Sequence, residues 1–436
     1  MYSEALLHFA WKFKLIPQNK LFSVKGENIE ILDVGKHNLD AGPDFLTSKI
    51  KIGDTLWVGN VEIHIKSSDW YRHNHQIDSA YSNIILHIVL EYDKDVFDCN
   101  GLPIPVLELR DLLPQDLEPK WNSLQAKPTE IACQHLGEID IFILTNWLDR
   151  MFVERLEAKT ELIFQLLKLL HNDWNEVFYV WLARSFGSKV NVIPFELLAR
   201  SVPLNIVKKH LHSSFQLEAL FFGQSSLINE FNQDDYIASL WKEYTFLKVK
   251  YNLSPLQNHI WKFLRMRPAN FPTIKISQFI NFLTQHIDLF EQLIDAKFLN
   301  NKLVFKDATV ETYWKTHYQA DVLSKSKNEI DFKIGNNTII INAIVPFLFV
   351  YGQLRGNELL KEKAVMLLSS LKPESNSIID NWKKLNVIPT SAYDSQALIY
   401  LKNNYCDKLK CLDCNIGHYF MKTKSNDKNL GIINKS

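Results

Sequence analysis

Residues 45–52 and 56–66 alternate between apolar and polar side chains with the period of two that is typical of a β-strand. Gly53 and Asp54 lie between the two stretches and indicate a turn. The pattern therefore predicts a β-hairpin. In its second strand one face is apolar, and the other face carries three ionisable side chains, Glu62, His64 and Lys66.

Further stretches around this hairpin complete a small α/β unit. Residues 3–15 have the apolar spacing of a helix, and residues 28–34 have the pattern of a strand. Residues 83–92 are rich in apolar and β-branched side chains, which predicts a buried central strand, and residues 103–109 predict another short one. The order of helix, strand, hairpin, loop with short helix, and strand predicts an α/β domain over residues 1–112.

From residue 140 onward the apolar spacing becomes helical almost to the end of the chain. This predicts a helical domain over residues 140–436. Three prolines between the two regions predict a linker over residues 113–139: Pro114, Pro119 and Pro128. The expected fold class is α+β, with an N-terminal α/β core followed by a large all-helical region.

Composition narrows the class of protein without naming an activity. The formal net charge is zero, so no global basic field indicates nucleic acid, although local basic patches stay open. The first residues lack the basic segment of a signal peptide, and the most apolar stretch, residues 339–351, is too short to span a membrane and contains Asn342 and Pro346. Five cysteines without a secretory signal favour a reducing compartment. We therefore expect a cytoplasmic protein with no membrane partner.

A carboxylate directly before the hairpin changes how the polar strand face is interpreted. Gly42 and Pro43 indicate a turn, and Asp44 follows them. Three ionisable groups on one strand face are either a solvated surface or, if buried, a paired or metal-binding set. Asp44 and Glu62 can converge on one Mg²⁺ ion, because carboxylate oxygens suit that cation. The ion would activate a water and neutralise phosphate charge, with His64 or Lys66 assisting.

The polar segment after the hairpin supplies candidate substrate contacts. It contains Trp70, Arg72, His73, His75 and Tyr81. An arginine suits a phosphate and an aromatic ring suits a stacked base, so these side chains can line a groove for DNA or RNA. Two alternatives stay open: His73 and His75 form a metal-binding pair, or the segment is a polar loop without a role.

Three of the five cysteines cluster near the end of the chain, at Cys406, Cys411 and Cys414. Their spacing predicts a thiolate metal site, with free structural cysteines as the alternative. The fourth ligand is open. His418 would complete a Cys₃His zinc site, whereas Cys133 or Cys99 would complete a Cys₄ site for zinc or a [4Fe–4S] cluster.

The sequence of Pro43, Asp44, a hairpin and then Glu62 resembles the PD-(D/E)XK nuclease superfamily. The resemblance implies a Mg²⁺-dependent nuclease that cleaves phosphodiesters, and it implies that an acid on the first helix, Glu4, can complete the metal site. A helix-dipole role is the alternative for Glu4. The chain departs from the motif at His64, where a lysine is expected, and Lys66 lies two residues later on the same face.

Six stretches spread over most of the chain resemble the bacterial DUF2851 family, a family of unknown function. They are GPDF at 42–45, NVEIHIKSSDW at 60–70, HIVLEY at 87–92, RMRPANFP at 265–272, LKPESN at 371–376 and YCDKLKCLDC at 405–414. This resemblance implies no activity. Two functions therefore stay open: a metal-dependent nuclease, and a non-catalytic binding or scaffold protein with a degenerate nuclease fold.

Overall fold

The computed structural model describes residues 2–125, 131, 133, 139–188, 190–295, 309–324 and 336–422. The chain forms two compact units. The first contains residues 1–149, 376–388 and 398–436, and the second contains residues 150–375 and 389–397. The cysteine-rich segment near the C terminus therefore belongs to the same unit as the N-terminal region. The domain boundaries predicted at residues 112 and 140 stay a prediction.

The first unit is built on a mixed seven-stranded sheet. Its strands are β1 (Leu21–Phe22), β2 (Asn28–Asp33), β3 (Lys36–His37), β4 (Phe45–Ile52), β5 (Thr55–Lys66), β6 (Ile84–Glu91) and β7 (Val106–Glu108). The order across the sheet is β1-β2-β4-β5-β6-β7, and β3 pairs with β4. Strands β2, β4 and β5 are antiparallel, whereas β5, β6 and β7 are parallel. The predicted hairpin is confirmed as β4 and β5.

One helix precedes the strands of this sheet, one short helix and two 3₁₀ turns lie between β5 and β6, and one helix follows β7. They are α1 (Glu4–Lys12), α2 (Asp69–Arg72) and α3 (Leu117–Leu124), with 3₁₀ turns at His75–Ile77 and Ser79–Tyr81. Helix α1 begins at Ser3, whose hydroxyl accepts from the N–H of Leu6, and it ends before the predicted residue 15 because Lys14 is left-handed, with φ 50°. The connection between the parallel strands β5 and β6 contains α2 and the two 3₁₀ turns.

Two local features set the register of β5 against its neighbours. Phe45 pairs with Val61 while Ser48 pairs with Gly59, so β4 carries one extra residue in a β-bulge, where Thr47 has φ 55°. Gly59 lets β5 approach β6 closely. A Cβ at that position would lie 2.3 Å from Ile85 Cγ2. These features orient the first residues of β4 and the middle of β5, where the candidate acids lie.

The second half of the chain is helical. Its helices are α4 (Ile141–Leu169), α5 (Trp174–Phe186), α6 (Val192–Ser201), α7 (Leu204–Lys209), α8 (Ser214–Gln224), α9 (Asp235–Tyr251), α10 (Pro272–His286), α11 (Leu289–Ile294), α12 (Thr312–Thr316), α13 (Asn336–Ile339), α14 (Val345–Arg355), α15 (Glu358–Ser370), α16 (Ser377–Lys384), α17 (Ala392–Leu401) and α18 (Asn415–Lys422). A small hairpin, β8 (His317–Gln319) with β9 (Val322–Leu323), interrupts the helices. The α+β class, with an N-terminal sheet followed by a large helical region, is confirmed.

One helical segment is longer than the sequence pattern predicted. Helix α13, a π-helical turn at Ile340–Ile344 and α14 are continuous over residues 337–355. By length and composition alone this segment could cross a membrane, but 61% of its apolar window is buried within the protein, as in the core helix of a soluble protein. Asn342 and Pro346 both lie within this helical segment. The π-turn ends two residues before Pro346, which has no N–H to donate to the preceding turn.

The core of the first unit also includes the end of the chain. Helix α1, the inner face of β2, β4, β5 and β6, and helix α3 contribute one cluster of buried apolar side chains. Cys411 and Met421 belong to that same cluster, and Cys133 packs against its edge. The C-terminal segment is therefore part of the N-terminal core, although nearly 300 residues separate Cys411 from helix α3.

Candidate active site

Asp44 and Glu62 are held together at the beginning of β4. The N–H of Asp44 donates to Glu62 Oε2 at 3.1 Å, and the N–H of Ile63 donates to Asp44 Oδ2 at 2.9 Å. The carbonyl of Asp44 accepts from the N–H of Asn38, which anchors the turn that precedes the strand. The two acids predicted to form one site are therefore neighbours, even though 17 residues separate them in sequence.

The environment of Glu62 makes its charged carboxylate costly. Glu62 is 5% exposed, and burial raises its pKa, while the nearby His75 imidazole lowers it and the charge of Asp44 raises it further. Burial, followed by the charges of Glu62 and Asp44, raises the pKa of the nearby Tyr81 to about 12. A cation at this place would offset both the desolvation and the mutual repulsion of the carboxylates.

Three imidazole rings come together beside Glu62, and two of them, His64 and His75, lie close to its carboxylate. One ring nitrogen from each of His64, His73 and His75 lies within 4.8 Å of the other two. His64 Nε2 is 3.1 Å from His73 Nδ1, and Glu62 Oε1 is 3.3 Å from His75 Nε2 and 3.6 Å from His64 Nε2. Three imidazoles with a carboxylate are a donor set that suits a divalent transition metal.

A tight turn brings two of these rings to the strand. His73 follows the end of α2, His75 begins the next 3₁₀ turn, and Asn74 between them is left-handed, with φ 61°. The reversal at Asn74 directs both imidazoles towards His64 on β5. Spacing in sequence could not show this, because residues two apart share a face only in an extended strand.

A further histidine, His87, contacts the His64 ring on the side facing strand β6. His64 Nδ1 lies 2.8 Å from His87 Nε2, and His87 is fully buried on the neighbouring strand β6. Burial and the surrounding imidazoles lower the pKa of His64 to about 3. His64 is therefore neutral near pH 7, which is the form that binds a metal. Its Nδ1 is held by His87, and its Nε2 faces His73 and Glu62.

Sequence reasoning missed two histidines beside Asp44. His8 on α1 lies with Nε2 3.2 Å from Asp44 Oδ2, and His37 on β3 stacks on Phe45 with ring centroids 4.8 Å apart. Burial lowers the pKa of His37. Within the described part of the chain, six histidines lie at or near the two acids: His8, His37, His64, His73, His75 and His87. The sequence did contain one indication of His8: it lies one helical turn after Glu4, so the two side chains share a face of the predicted first helix.

Trp70 and Tyr81, two aromatic side chains predicted to contact substrate, instead pack against His75. Trp70 is fully buried, and its Nε1 donates to the carbonyl of Phe97. Tyr81 is nearly buried and stacks on His75 with ring centroids 3.8 Å apart. Arg72, in contrast, is exposed and pairs with Asp69 at 3.1 Å. Burial leaves Trp70 no exposed face for stacking on a base, whereas Arg72 and His73 face solvent.

Lys66 and Glu4, two other residues predicted to take part in the site, make their described contacts elsewhere or are replaced by a neighbour. Lys66 lies 3.6 Å from the carboxylate of Glu91, its partner on β6, and both are partly exposed. Glu4 is half-buried at the start of α1, and it is His8, one turn later, that contacts Asp44. The cation nearest in sequence to Glu62 is therefore engaged by another acid.

The predicted thiolate ligands come together elsewhere in the first unit. Cys133, Cys406, Cys411 and Cys414 line one pocket. Cys99 is exposed and is not among the residues that line it. His418 contacts the carbonyl of Leu412 through Nε2. Of the alternatives left open for the fourth ligand, the structure brings Cys133 to the other three thiols.

A model of the family described as "Protein of unknown function (DUF2851)" matches residues 4–377. This range includes the sheet and every residue of the Asp44–Glu62 site, and it ends before the three clustered cysteines. No curated protein and no solved structure matches the chain. The comparisons support the DUF2851 resemblance and give no support to the resemblance to PD-(D/E)XK nucleases.

Proposed function

The chain belongs to the DUF2851 family, and we propose that it is a metal-dependent phosphodiesterase, a nuclease acting on DNA or RNA, with its active site at Asp44 and Glu62. The observation that carries the proposal is the convergence of these two carboxylates with three imidazoles in one largely buried site. Acids next to imidazoles in a poorly solvated site are a typical arrangement for holding a cation that activates water.

The order and direction of the strands support a nuclease core of the PD-(D/E)XK type. A helix precedes the antiparallel strands β2, β4 and β5, and a crossover then leads to β6, which is parallel to β5. Asp44 begins the first strand of the hairpin and Glu62 lies in the middle of the second. This is the place that the acids of that superfamily's motif occupy in the order of elements.

The donor set favours a transition metal over Mg²⁺. Carboxylates alone suit Mg²⁺, but the ring nitrogens of His64 and His75 lie next to Glu62, and that of His73 lies next to His64. We propose that Glu62 and these imidazoles bind Mn²⁺ or Zn²⁺, with Asp44 beside the ion. When bound, the ion supplies positive charge to a phosphate and lowers the pKa of a coordinated water.

The surrounding side chains have separate tasks under this proposal. A pKa near 3 makes His64 a poor proton acceptor but a good neutral ligand. His73 is the exposed ring of the three, so it can reach a water on the solvent side. Arg72, exposed next to it, suits a substrate phosphate. Lys66 is engaged by Glu91, so the proposal gives it no part in activating water.

A cleavage assay tests the proposal. Labelled single- and double-stranded DNA and RNA are incubated with chelated protein, to which Mg²⁺, Mn²⁺ or Zn²⁺ is returned. We expect cleavage with Mn²⁺ or Zn²⁺, and loss of cleavage in Asp44→Asn and Glu62→Gln. Each substitution retains an oxygen that can accept the hydrogen bonds described above. Asp54→Asn, in the exposed turn of the same hairpin, is the matched control.

The alternative is a non-catalytic binding protein with the same fold. The pairing of Lys66 with Glu91 and the neutral net charge favour it. The assay separates the two functions. Metal binding without cleavage of any of the four substrates would support the binding protein, and wild-type cleavage by Asp44→Asn would remove the proposed active site.

A further inference from the structure

Four of the five cysteines surround a single pocket in the first unit. Cys133 comes from the segment after α3, and the other three come from the C-terminal segment. All four cysteines are free, so no disulfide accounts for their convergence. This site is separate from Asp44 and Glu62 and has no part in the proposed function.

The chain is shaped locally around these sulfur atoms. Cys406 ends a π-helical turn, Cys411 begins a 3₁₀ turn, and Cys414 comes directly before α18. Gly417 also lines the pocket, where a Cβ would lie 2.1 Å from the carbonyl oxygen of Cys411. Only glycine therefore allows α18 to pack this closely against the Cys411 turn.

Donor groups surround the Cys414 sulfur. The backbone N–H groups of Ile416 and Gly417, at the start of α18, and the side chain of Trp147 lie near it. Tyr405 packs against Trp147, with ring centroids 5.4 Å apart, and also lines the pocket. Donors directed at a sulfur atom stabilise the negative charge that a metal-bound thiolate carries.

His418 is not available as a ligand. Its Nε2 contacts the carbonyl of Leu412, and its ring packs against Phe13 and Phe9 with centroids 4.6 and 5.3 Å away. Lys422 lies over the same Phe13 ring, 3.6 Å from its centroid. His418 thus belongs to the packing between α18 and α1, and a local Cys₃His site is excluded by these contacts.

The spacing of the sulfur atoms indicates which metal group fits. Four thiolates that bind one zinc ion at about 2.3 Å hold their sulfur atoms about 3.8 Å apart. Among the described residues, no three cysteine sulfur atoms lie within 4.8 Å of one another. A cluster of several iron ions holds its thiolates further apart, because they are divided among different irons. The Cys-x₄-Cys-x₂-Cys spacing with a fourth, distant cysteine also occurs among iron–sulfur proteins.

We propose that Cys133, Cys406, Cys411 and Cys414 bind an iron–sulfur cluster. The cluster joins the C-terminal segment to the N-terminal core, where Cys411 is buried next to the end of α3. Its role is structural. It holds α18 against α1, and α1 carries the His8 side chain that contacts Asp44.

Elemental analysis of anaerobically purified full-length protein tests this proposal. We expect iron and acid-labile sulfide in equal amounts, two or four of each per chain, and a visible absorption band that dithionite bleaches. Stoichiometric zinc without iron would overturn the iron–sulfur assignment. Protein that contains neither metal, even after anaerobic reconstitution with ferrous iron and sulfide, would overturn the site itself.

Substitutions identify the ligands without any activity measurement. Cys133→Ser and Cys406→Ser are expected to reduce iron and sulfide to background, whereas Cys99→Ser, the matched control, and His418→Gln retain them. Full iron content in Cys133→Ser, or loss of iron in a folded His418→Gln, would contradict the four-cysteine assignment. If the serine variants do not fold, removal of iron from the wild type by a chelator gives a second measurement, and we expect a lower melting temperature.

Discussion

Asp44 and Glu62 are each positioned by a main-chain N–H group on the other acid's strand. The N–H of Asp44 donates to the Glu62 carboxylate, and the N–H of Ile63, the residue after Glu62, donates to the Asp44 carboxylate. Each acid is therefore positioned by the strand that carries the other. The bonds hold two like charges close together in a poorly solvated place, which costs free energy when no cation is present.

Glu62→Gln is expected to stabilise the protein when metal is removed. The substitution eliminates a buried carboxylate whose charged form burial disfavours, while the amide oxygen still accepts from Asp44. We expect the free energy of unfolding at pH 7 in excess chelator to rise by about 1 kcal/mol, a gain typical of removing a functional buried charge. Urea unfolding of wild type, Glu62→Gln and the exposed control Asp54→Asn measures it. A decrease in Glu62→Gln alone would show that the charge is stabilising.

His73→Ala is expected to weaken metal binding without disturbing the fold. His73 is the exposed member of the three imidazoles, so its removal leaves no buried cavity. We expect the Kd for Mn²⁺ or Zn²⁺ to rise at least about tenfold, with a correspondingly smaller increase of Tm on adding metal. Calorimetric titration measures the affinity, and His259→Ala, an exposed histidine in the helical region, is the control. Equal affinities in all three proteins would exclude a metal at this place.

Gly59→Ala is expected to disturb the pairing of β5 with β6. The new Cβ would meet Ile85 Cγ2 at 2.3 Å and the carbonyl of Asn83 at 2.8 Å, so a backbone must move. We expect a loss of about 1–3 kcal/mol in the free energy of unfolding. Gly53→Ala, in the turn that joins β4 to β5, provides the comparison. Its Cβ meets nothing within 4 Å, so its cost is only that of the positive φ, about 1 kcal/mol.

Glu218 in the helical unit should make stability depend on pH. This carboxyl is fully buried, it accepts from Trp314 Nε1 at 2.9 Å and from the Tyr236 hydroxyl, and burial raises its pKa to about 7. The folded protein therefore keeps its proton to a higher pH than the unfolded chain does. As the pH rises from the ordinary glutamate range through about 7, this group lowers the free energy of unfolding, by about 3 kcal/mol in total.

Glu218→Gln removes this titration. We expect the wild type to lose stability relative to Glu218→Gln between pH 5 and pH 8. The difference in the free energy of unfolding, wild type minus variant, therefore decreases over this range. Urea unfolding at several pH values measures both proteins. Glu230→Gln, at an exposed position in the same unit, should follow the wild-type profile. Parallel profiles for wild type and Glu218→Gln would contradict the raised pKa.

The hairpin, its flanking strands and the long helical region followed from local patterns. The alternation in residues 45–52 and 56–66 was sufficient because the apolar face of β4 and β5 is buried in the core, and its burial fixes the period and register of a strand. The polar face of β5 is also buried at Glu62 and His64, which the pattern left open. The turn at Pro43 and the acid after it were also visible. The bulge at Thr47 was not visible, because a bulge depends on how two strands pair and not on the residues of one.

The histidines and cysteines depended on contacts between distant parts of the chain. The sequence by itself determined which residues are chemically able to bind metals, and it singled out Asp44, Glu62 and the cysteines at 406–414. Only the tertiary structure decided that His8 lies beside Asp44 and that Cys133 joins the C-terminal thiols. The physical reason is that periodicity reports the burial of each segment, whereas the packing of the whole core decides which buried segments become neighbours.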